Sequence, residues 1–320
     1  MKLFGRWRKP LMTAGLAAGV FLFAWQFAQS FLDARSLGWR IFAQPSAVAL
    51  AFACSLLVYA AQMLAWQLTL RYLDVDLGLP EIFEGFQLSF LPRYIPGSVW
   101  GYLSRSQWLQ QVHGVSYGAS LIGSLLELAV QALTAAVVGL GILAATAAGG
   151  WQWLSGAAAV VLLALTWIAA PRLVLLLGRR KAGASALRTR TPSIWGWVVV
   201  VNLVLRILYG LSFWGVILAI APASSVGAAG AIAASNLAWL LGFIIPIVPT
   251  GIGVREWAVA ELLMEPALLT AAQANLAAVM FRFVVILTEL IWLGVGLALY
   301  ARRWRSQASS RPSETRKPQE

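Results

Sequence analysis

One cysteine, Cys54, and one histidine, His113, are all that the chain holds of either residue. A single thiol excludes an intramolecular disulfide. So small a set also excludes a Cys/His zinc cluster and any nucleophilic scheme that needs cysteine together with a second histidine. No metal and no cofactor are expected. Charge is scarce as well: Asp, Glu, Lys and Arg make up 11% of the 320 residues, against about 25% in ordinary soluble domains. No GxxxxGK[ST] phosphate loop occurs, which argues against ATP hydrolysis by this chain. What is present instead is apolar. Hydrophobic residues reach 60% and the mean hydropathy is +0.77, whereas soluble domains run at roughly 45–50%. The composition is that of a chain built for a bilayer. Its net charge of +12 reads as loop charge that orients helices, not as a nucleic-acid surface.

A spanning helix needs about 20 mostly apolar residues, because the hydrocarbon is about 30 Å thick and each residue rises about 1.5 Å. Six stretches meet that length. Residues 11–30, 46–70 and 151–171 hold no charge; 116–147 holds only Glu127, 193–220 only Arg206, and 269–300 only Arg282 and Glu289. The run 11–30 follows Lys2, Arg6, Arg8 and Lys9 but exceeds a signal peptide's apolar run of about 7–15 residues, so it reads as an uncleaved anchor. With the N-terminus inside, the cytoplasmic segments 1–10, 71–110, 172–192 and 302–320 carry nineteen of the twenty-four Lys and Arg. That bias predicts both termini on the cytoplasmic side. Residues 1–10 are then a cytoplasmic N-terminus, 11–300 one transmembrane domain, and 301–320 a basic, disordered cytoplasmic tail.

Two apolar segments are interrupted. Pro92, Pro96, Gly97 and Gly101 break the region 82–110, and Pro246, Pro249, Gly251 and Gly253 break 227–265. Proline removes a helical donor and glycine weakens a helix, so each segment predicts two half-helices around an irregular turn. Such backbone is tolerated at membrane depth only where protein or a watered cavity satisfies it, which makes both segments re-entrant and inward-facing. Pro92 and Pro246 lie 154 residues apart and Pro96 and Pro249 lie 153 apart. About the same displacement carries the second span onto the fifth. We therefore expect an all-α, polytopic, inverted repeat, 11–147 followed by 151–300, of six full spans and two re-entrant pairs. Paired breaks of this kind point to a transport site; the plainer alternative is a pair of kinked buried helices.

The half-helices that restart after Gly97 and Gly253 aim unpaired backbone N–H groups at the turns, where an anion is favoured. Arg93 and Arg105 flank the first turn, Arg255 follows the second beside Glu256, and Ser98 and Thr250 add hydroxyl donors. These residues suit a phosphate. Tyr94 belongs to the same first-turn set. Arg93 and Arg105 are read equally well as interfacial arginines that snorkel to headgroups, and Arg255 with Glu256 as an ion pair. Each of Glu127, Arg206, Arg282 and Glu289 costs roughly 2.5–3.5 kcal/mol at a helix centre, so all four must face inward. They line a translocation path or form structural pairs, for example Glu127 with Arg206 or Arg282. Asp74 and Asp76, spaced like a metal-binding acidic pair, are a weaker candidate for catalysis. His113 reads as interfacial, and Trp151, Trp153 and Trp195 as members of aromatic belts.

In PRYIPGSVWGYLSR (92–105) and PIVPTGIGVRE (246–256) the chain resembles the flippase-like transmembrane region of the lysylphosphatidylglycerol synthase family. The similarity extends from about residue 10 to 300. It implies inverted repeats with re-entrant elements in the bacterial inner membrane. It also implies translocation of a phospholipid or polyprenyl-phosphate conjugate, whose headgroup would contact the residues of the two turns. The bifunctional members continue into an aminoacyl-transferase domain absent from this sequence, so a transporter and not an enzyme is expected. Thr250 stands where many relatives have glycine. The alternative expectation is an accessory protein that moves nothing and recruits a lipid-modifying enzyme or glycosyltransferase through the basic loop at Arg172–Arg190.

Overall fold

The computed structural model describes residues 44–90, 92, 100–146, 150–169, 171, 172, 176, 189–245, 253–264 and 268–309, together with residue 28. The expected first span, apart from residue 28, and both turns at 93–99 and 246–252 lie outside the described residues. So does most of the loop at 173–188.

All regular structure among the described residues is helical. We number the helices α1 (Pro45–Tyr72), α2 (Leu79–Gln87), α3 (Trp100–His113), α4 (Tyr117–Thr146), α5 (Trp151–Ala164), α6 (Pro192–Ile220), α7 (Ala228–Ile244), α8 (Val254–Leu263) and α9 (Ala271–Ser309). Proline starts α1 and α6, where its fixed φ suits a first turn and its missing N–H goes unnoticed. Beyond α1 the chain turns at Asp74, whose φ of 63° lies in the left-handed region that aspartate tolerates better than most residues. The interrupted segments are broken as expected: α2 and α3 flank the first turn, and α7 and α8 flank the second.

Among the described residues four helices are long and apolar enough to cross a membrane: Pro45–Tyr72, Tyr117–Thr146, Pro192–Ile220 and Ala271–Leu299. The expected span at 151–171 is a shorter apolar helix, in which α5, of 14 residues, runs on into a π turn at Leu165–Ala169. Two hydrogen bonds accompany the π turn. The Thr166 hydroxyl donates back to the Leu162 carbonyl at 2.7 Å, and the Trp195 indole N–H takes the Thr166 carbonyl at 3.2 Å. A carbonyl diverted from the i→i+4 ladder is what a π turn accommodates. At the other end of the chain α9 runs to Ser309, past residue 300 where the transmembrane domain was expected to end.

In lipid, helices gain little from hiding apolar surface from one another, so close backbone approach takes over. Gly210 and Gly215 on α6 provide it. A Cβ at Gly215 would stand 2.8 Å from the Ala51 nitrogen of α1, and one at Gly210 would stand 2.4 Å from the Ile232 Cα of α7. The Ser212 hydroxyl then reaches the Ala51 carbonyl at 2.8 Å. Around this contact lie three buried apolar clusters. One joins α1, α6, α7, α8 and α9 through Ala51, Phe213, Ala231, Ala258 and Phe281. A second joins α1, α2 and α3 through Trp66, Phe86 and Trp108. The third joins α1, α4 and α6 through Tyr72, Leu126 and Trp195.

The ends of α1 and α6 are tied at the surface. Arg190, just before α6, donates to Asp74 at 2.8 Å and to Asp76, while its backbone N–H meets the Tyr72 carbonyl at 2.9 Å. The hydrogen bonds it donates to Asp74 and then Asp76 hold the Arg190 guanidinium above its ordinary pKa. The two aspartates, weighed above for catalysis, thus serve a clasp. Among the described residues no group of three or more His, Cys, Asp or Glu is placed to hold a metal.

The glycine contact sets a stability expectation. Gly210→Val should lower stability in detergent by about 1–3 kcal/mol through overpacking. Gly294→Ala, which meets no neighbouring atom within 4 Å, should leave it unchanged. Thermal unfolding of the two purified variants checks the pair, and equal melting temperatures would contradict the packing.

Candidate functional site

Where the three clusters adjoin, the helices leave a cavity of about 150 Å³. Arg105, Glu127, Arg206, Arg255, Arg282 and Glu289 all line it. These were six of the candidate residues, and they come from five different helices. Arg206 lies near the middle of α6 and Glu127, Arg282 and Glu289 well inside α4 and α9, so the cavity belongs to the depth of the spans. Gly101 of α3 also lines it. Arg93, Tyr94, Pro96, Gly97, Ser98, Pro249, Thr250 and Gly251 lie outside the described residues.

Arg105 is held by a carboxylate and by aromatic rings. It is 2% exposed, and its guanidinium donates to Glu127 at 2.8 Å. The second oxygen of Glu127 accepts from Gln131 at 3.2 Å, one helical turn further along α4. Three rings enclose the guanidinium: Trp66 at 4.7 Å, Tyr102 at 4.9 Å and Phe86 at 5.5 Å from its central carbon. Such contacts contribute roughly 2 kcal/mol when desolvated. An interfacial, snorkelling Arg105 is therefore excluded, and the partner of Glu127 is Arg105, not Arg206 or Arg282.

A second ion pair joins α8 to α9. Glu256 lies 3.7 Å from the Nε of Arg282, a charge contact too long for a hydrogen bond. The other oxygen of Glu256 accepts the Gly253 backbone N–H at 2.6 Å, which caps the start of α8. Gly253 has φ 84°, a conformation that glycine adopts without strain. Glu256 is thus committed to Arg282 and the cap, and the expected Arg255–Glu256 pair does not form. On the cavity wall the Tyr59 hydroxyl donates to Glu289 at 2.6 Å, linking α1 to α9.

Arg206 and Arg255 are held differently. Arg206, 2% exposed, donates to the Gln131 carbonyl at 2.8 Å and lies 3.8 Å above the Trp239 ring. Arg255, half-buried, lies 5.2 Å from the same ring. Among the described residues neither has a carboxylate within 4 Å; the buried Nε of each, like the Nε and Nη1 of Arg105, has no hydrogen-bond partner. Gly242 creates the route for Arg255: a Cβ there would stand 2.3 Å from the Arg255 Cγ. Tyr59, Trp239 and Gly242 were not anticipated. An aromatic or a glycine on an apolar helix looks alike whether it faces lipid, core or site. The site is hence a guanidinium-rich chamber with two ion pairs, a further carboxylate, Glu289, that accepts from Tyr59, and two arginines on one indole.

A family model described as the lysylphosphatidylglycerol synthase TM region matches residues 12–292. No curated protein matches the chain.

The ion pair on α3 and α4 sets a second expectation. Glu127→Gln leaves Arg105 buried without its anion and should cost about 3–5 kcal/mol. Removing both charges together in Arg105→Met/Glu127→Leu should recover most of that loss. Denaturant unfolding in detergent compares the two; a double variant no more stable than the single one would contradict the pairing.

Proposed function

Since the chain belongs to the lysylphosphatidylglycerol synthase TM-region family, a group of membrane proteins concerned with lipid modification or flipping, we propose that it carries an anionic lipid headgroup across the bacterial inner membrane. In this reading the chamber receives the phosphate, and the acyl or polyprenyl chains stay in the bilayer. The observation that carries the reading is the set of four arginines around one cavity within apolar spans. Keeping charge at such depth costs free energy that a purely structural bundle has no reason to incur. Arg206 and Arg255 bind the anion, while Arg105 and Arg282 remain with their glutamates.

The same reading takes the chain as an inverted repeat with both termini in the cytoplasm. Helices α1 to α4 and α6 to α9 run in the same order of long, short, short and long, with α7 the longer of its kind. Glu127 and Arg282, 155 residues apart, each tie the last helix of a half to the half-helix before it. The charges are reversed: α3 supplies arginine and α4 glutamate, whereas α8 supplies glutamate and α9 arginine. Repeats of this kind in transporters bring their interrupted helices together at a mid-membrane site.

Reconstitution into vesicles with a labelled lipid in one leaflet tests the proposal. The parent chain should speed exchange between leaflets. Arg255→Ala should slow it roughly tenfold or more, as expected for loss of a charge-assisted contact of about 1.5–3 kcal/mol. Gly242→Ala should slow it too, by obstructing the stem of Arg255. Absence of exchange with every anionic lipid would sink the proposal and favour a protein that recruits a lipid-modifying enzyme without moving lipid itself.

A further inference from the structure

The uncharged polar wall of the chamber is only partly occupied. Ser89 and Gln131 line it, but the Ser89 hydroxyl donates to the Phe86 carbonyl at 2.6 Å and the Gln131 amide donates to Glu127 at 3.2 Å. Ser55, Gln62 and Tyr209 line it too, and among the described residues their side chains make no hydrogen bond. Ser55, only 3% exposed, and Gln62 stand about two turns apart on one face of α1. Tyr209 follows Arg206 by three residues on α6, and its ring is set edge-on against Phe281 at 5.0 Å. Both helices are apolar spans, where a hydroxyl or amide without a partner costs free energy unless something in the cavity bonds it.

The charged wall restricts what that something is. The guanidiniums of Arg105, Arg206, Arg255 and Arg282 stand against the carboxylates of Glu127, Glu256 and Glu289, an excess of one positive charge among the described residues. All three carboxylates are engaged: Glu127 by Arg105, Glu256 by Arg282 and the Gly253 N–H, and Glu289 by the Tyr59 hydroxyl. An ammonium on the ligand would meet that excess of like charge and would have to draw a carboxylate from its present partner. A ligand hydroxyl carries no charge and both donates and accepts, as do the Ser55 and Tyr209 hydroxyls and the Gln62 amide. An alkyl substituent would displace water from those three groups and offer them nothing in return.

We infer, on the transport reading above, that the headgroup carried is a phosphate bearing an uncharged, hydroxylated substituent, a glycerol or a sugar without amino groups. Ser55, Gln62 and Tyr209 take its hydroxyls while Arg206 and Arg255 hold the phosphate. The three uncharged side chains therefore set selectivity, and the arginines supply the attraction. Lipid-borne and soluble phosphates of this kind share the same chemistry, and experiment separates them.

The test uses the full chain in vesicles that carry one labelled lipid at a time. Phosphatidylglycerol has the hydroxyls, phosphatidylpropanol has the same charge without them, and lysyl-phosphatidylglycerol adds ammonium groups to the glycerol. Leaflet exchange of phosphatidylglycerol should exceed that of phosphatidylpropanol by about two- to tenfold, the range for loss of a neutral hydrogen bond, and should exceed that of the lysyl ester as well. Ser55→Ala, Gln62→Leu and Tyr209→Phe should each move the ratio of phosphatidylglycerol to phosphatidylpropanol exchange toward one. A role in packing alone would slow both lipids together and keep the ratio. In detergent, glycerol 3-phosphate should raise the melting temperature of the parent chain more than propyl phosphate does, since a ligand stabilises the state that it binds. If a variant fails to fold, the comparisons on the parent chain decide alone. Equal exchange of phosphatidylglycerol and phosphatidylpropanol overturns the hydroxyl assignment and leaves lipid translocation standing. Exchange of the lysyl ester as fast as that of phosphatidylglycerol overturns the exclusion of amino groups. Uptake of glycerol 3-phosphate into the vesicles without lipid exchange overturns the lipid assignment. No exchange of any of the three lipids overturns the transport reading itself.

Discussion

The cost of holding a guanidinium away from water governs this molecule. Each arginine within the spans must find an anion, a ring or a carbonyl, and the helices are arranged so that these partners arrive from different parts of the chain. Arg105 draws Glu127 and three aromatic rings around it, which fixes α3 against α1, α2 and α4. Arg206 draws a carbonyl from α4 and an indole from α7. The polar interior therefore organises the bundle as much as the alanine-rich contacts of α6 to α9 do. In a bilayer, where apolar side chains gain little by meeting one another, that is the expected balance.

Much of this was legible in the sequence. Charges inside apolar runs must turn inward, so Glu127, Arg206, Arg282 and Glu289 announce a common interior by position alone, and the proline–glycine pairs announce the two broken segments. Partner identity was less legible. Arg255 and Glu256 adjoin in sequence, yet neighbouring helical residues project about 100° apart, so the carboxylate turns to Arg282 and to the start of its own helix. Arg105 sits in a helix of nearly neutral hydropathy, which leaves its depth open until Glu127 is seen beside it. A count of apolar residues could not register the π turn at Leu165–Ala169 in the fourth expected span, nor the Trp195 indole that binds the Thr166 carbonyl there.

Glycine has two distinct uses here. At Gly210 and Gly215 the missing side chain lets backbones touch, which sets the spacing of α1, α6 and α7. At Gly242 it lets a side chain pass, because the stem of Arg255 occupies the space a methyl group would fill. The first use concerns stability and the second concerns reach. An alanine at either kind of position alters the molecule in different ways although the sequence change is the same.

The clasp of Arg190 on Asp74 and Asp76 bears on how the protein moves. It pins the C-terminal end of α1 to the N-terminal end of α6, and toward the opposite ends of the same helices the Ala51 backbone lies directly on Gly215 and Ser212. These two helices consequently behave as one keel. A rearrangement that parted α1 from α6 would have to break both contacts, and the short half-helices α3 and α8 are packed into the same apolar clusters as α1 through Trp108 and Ala258.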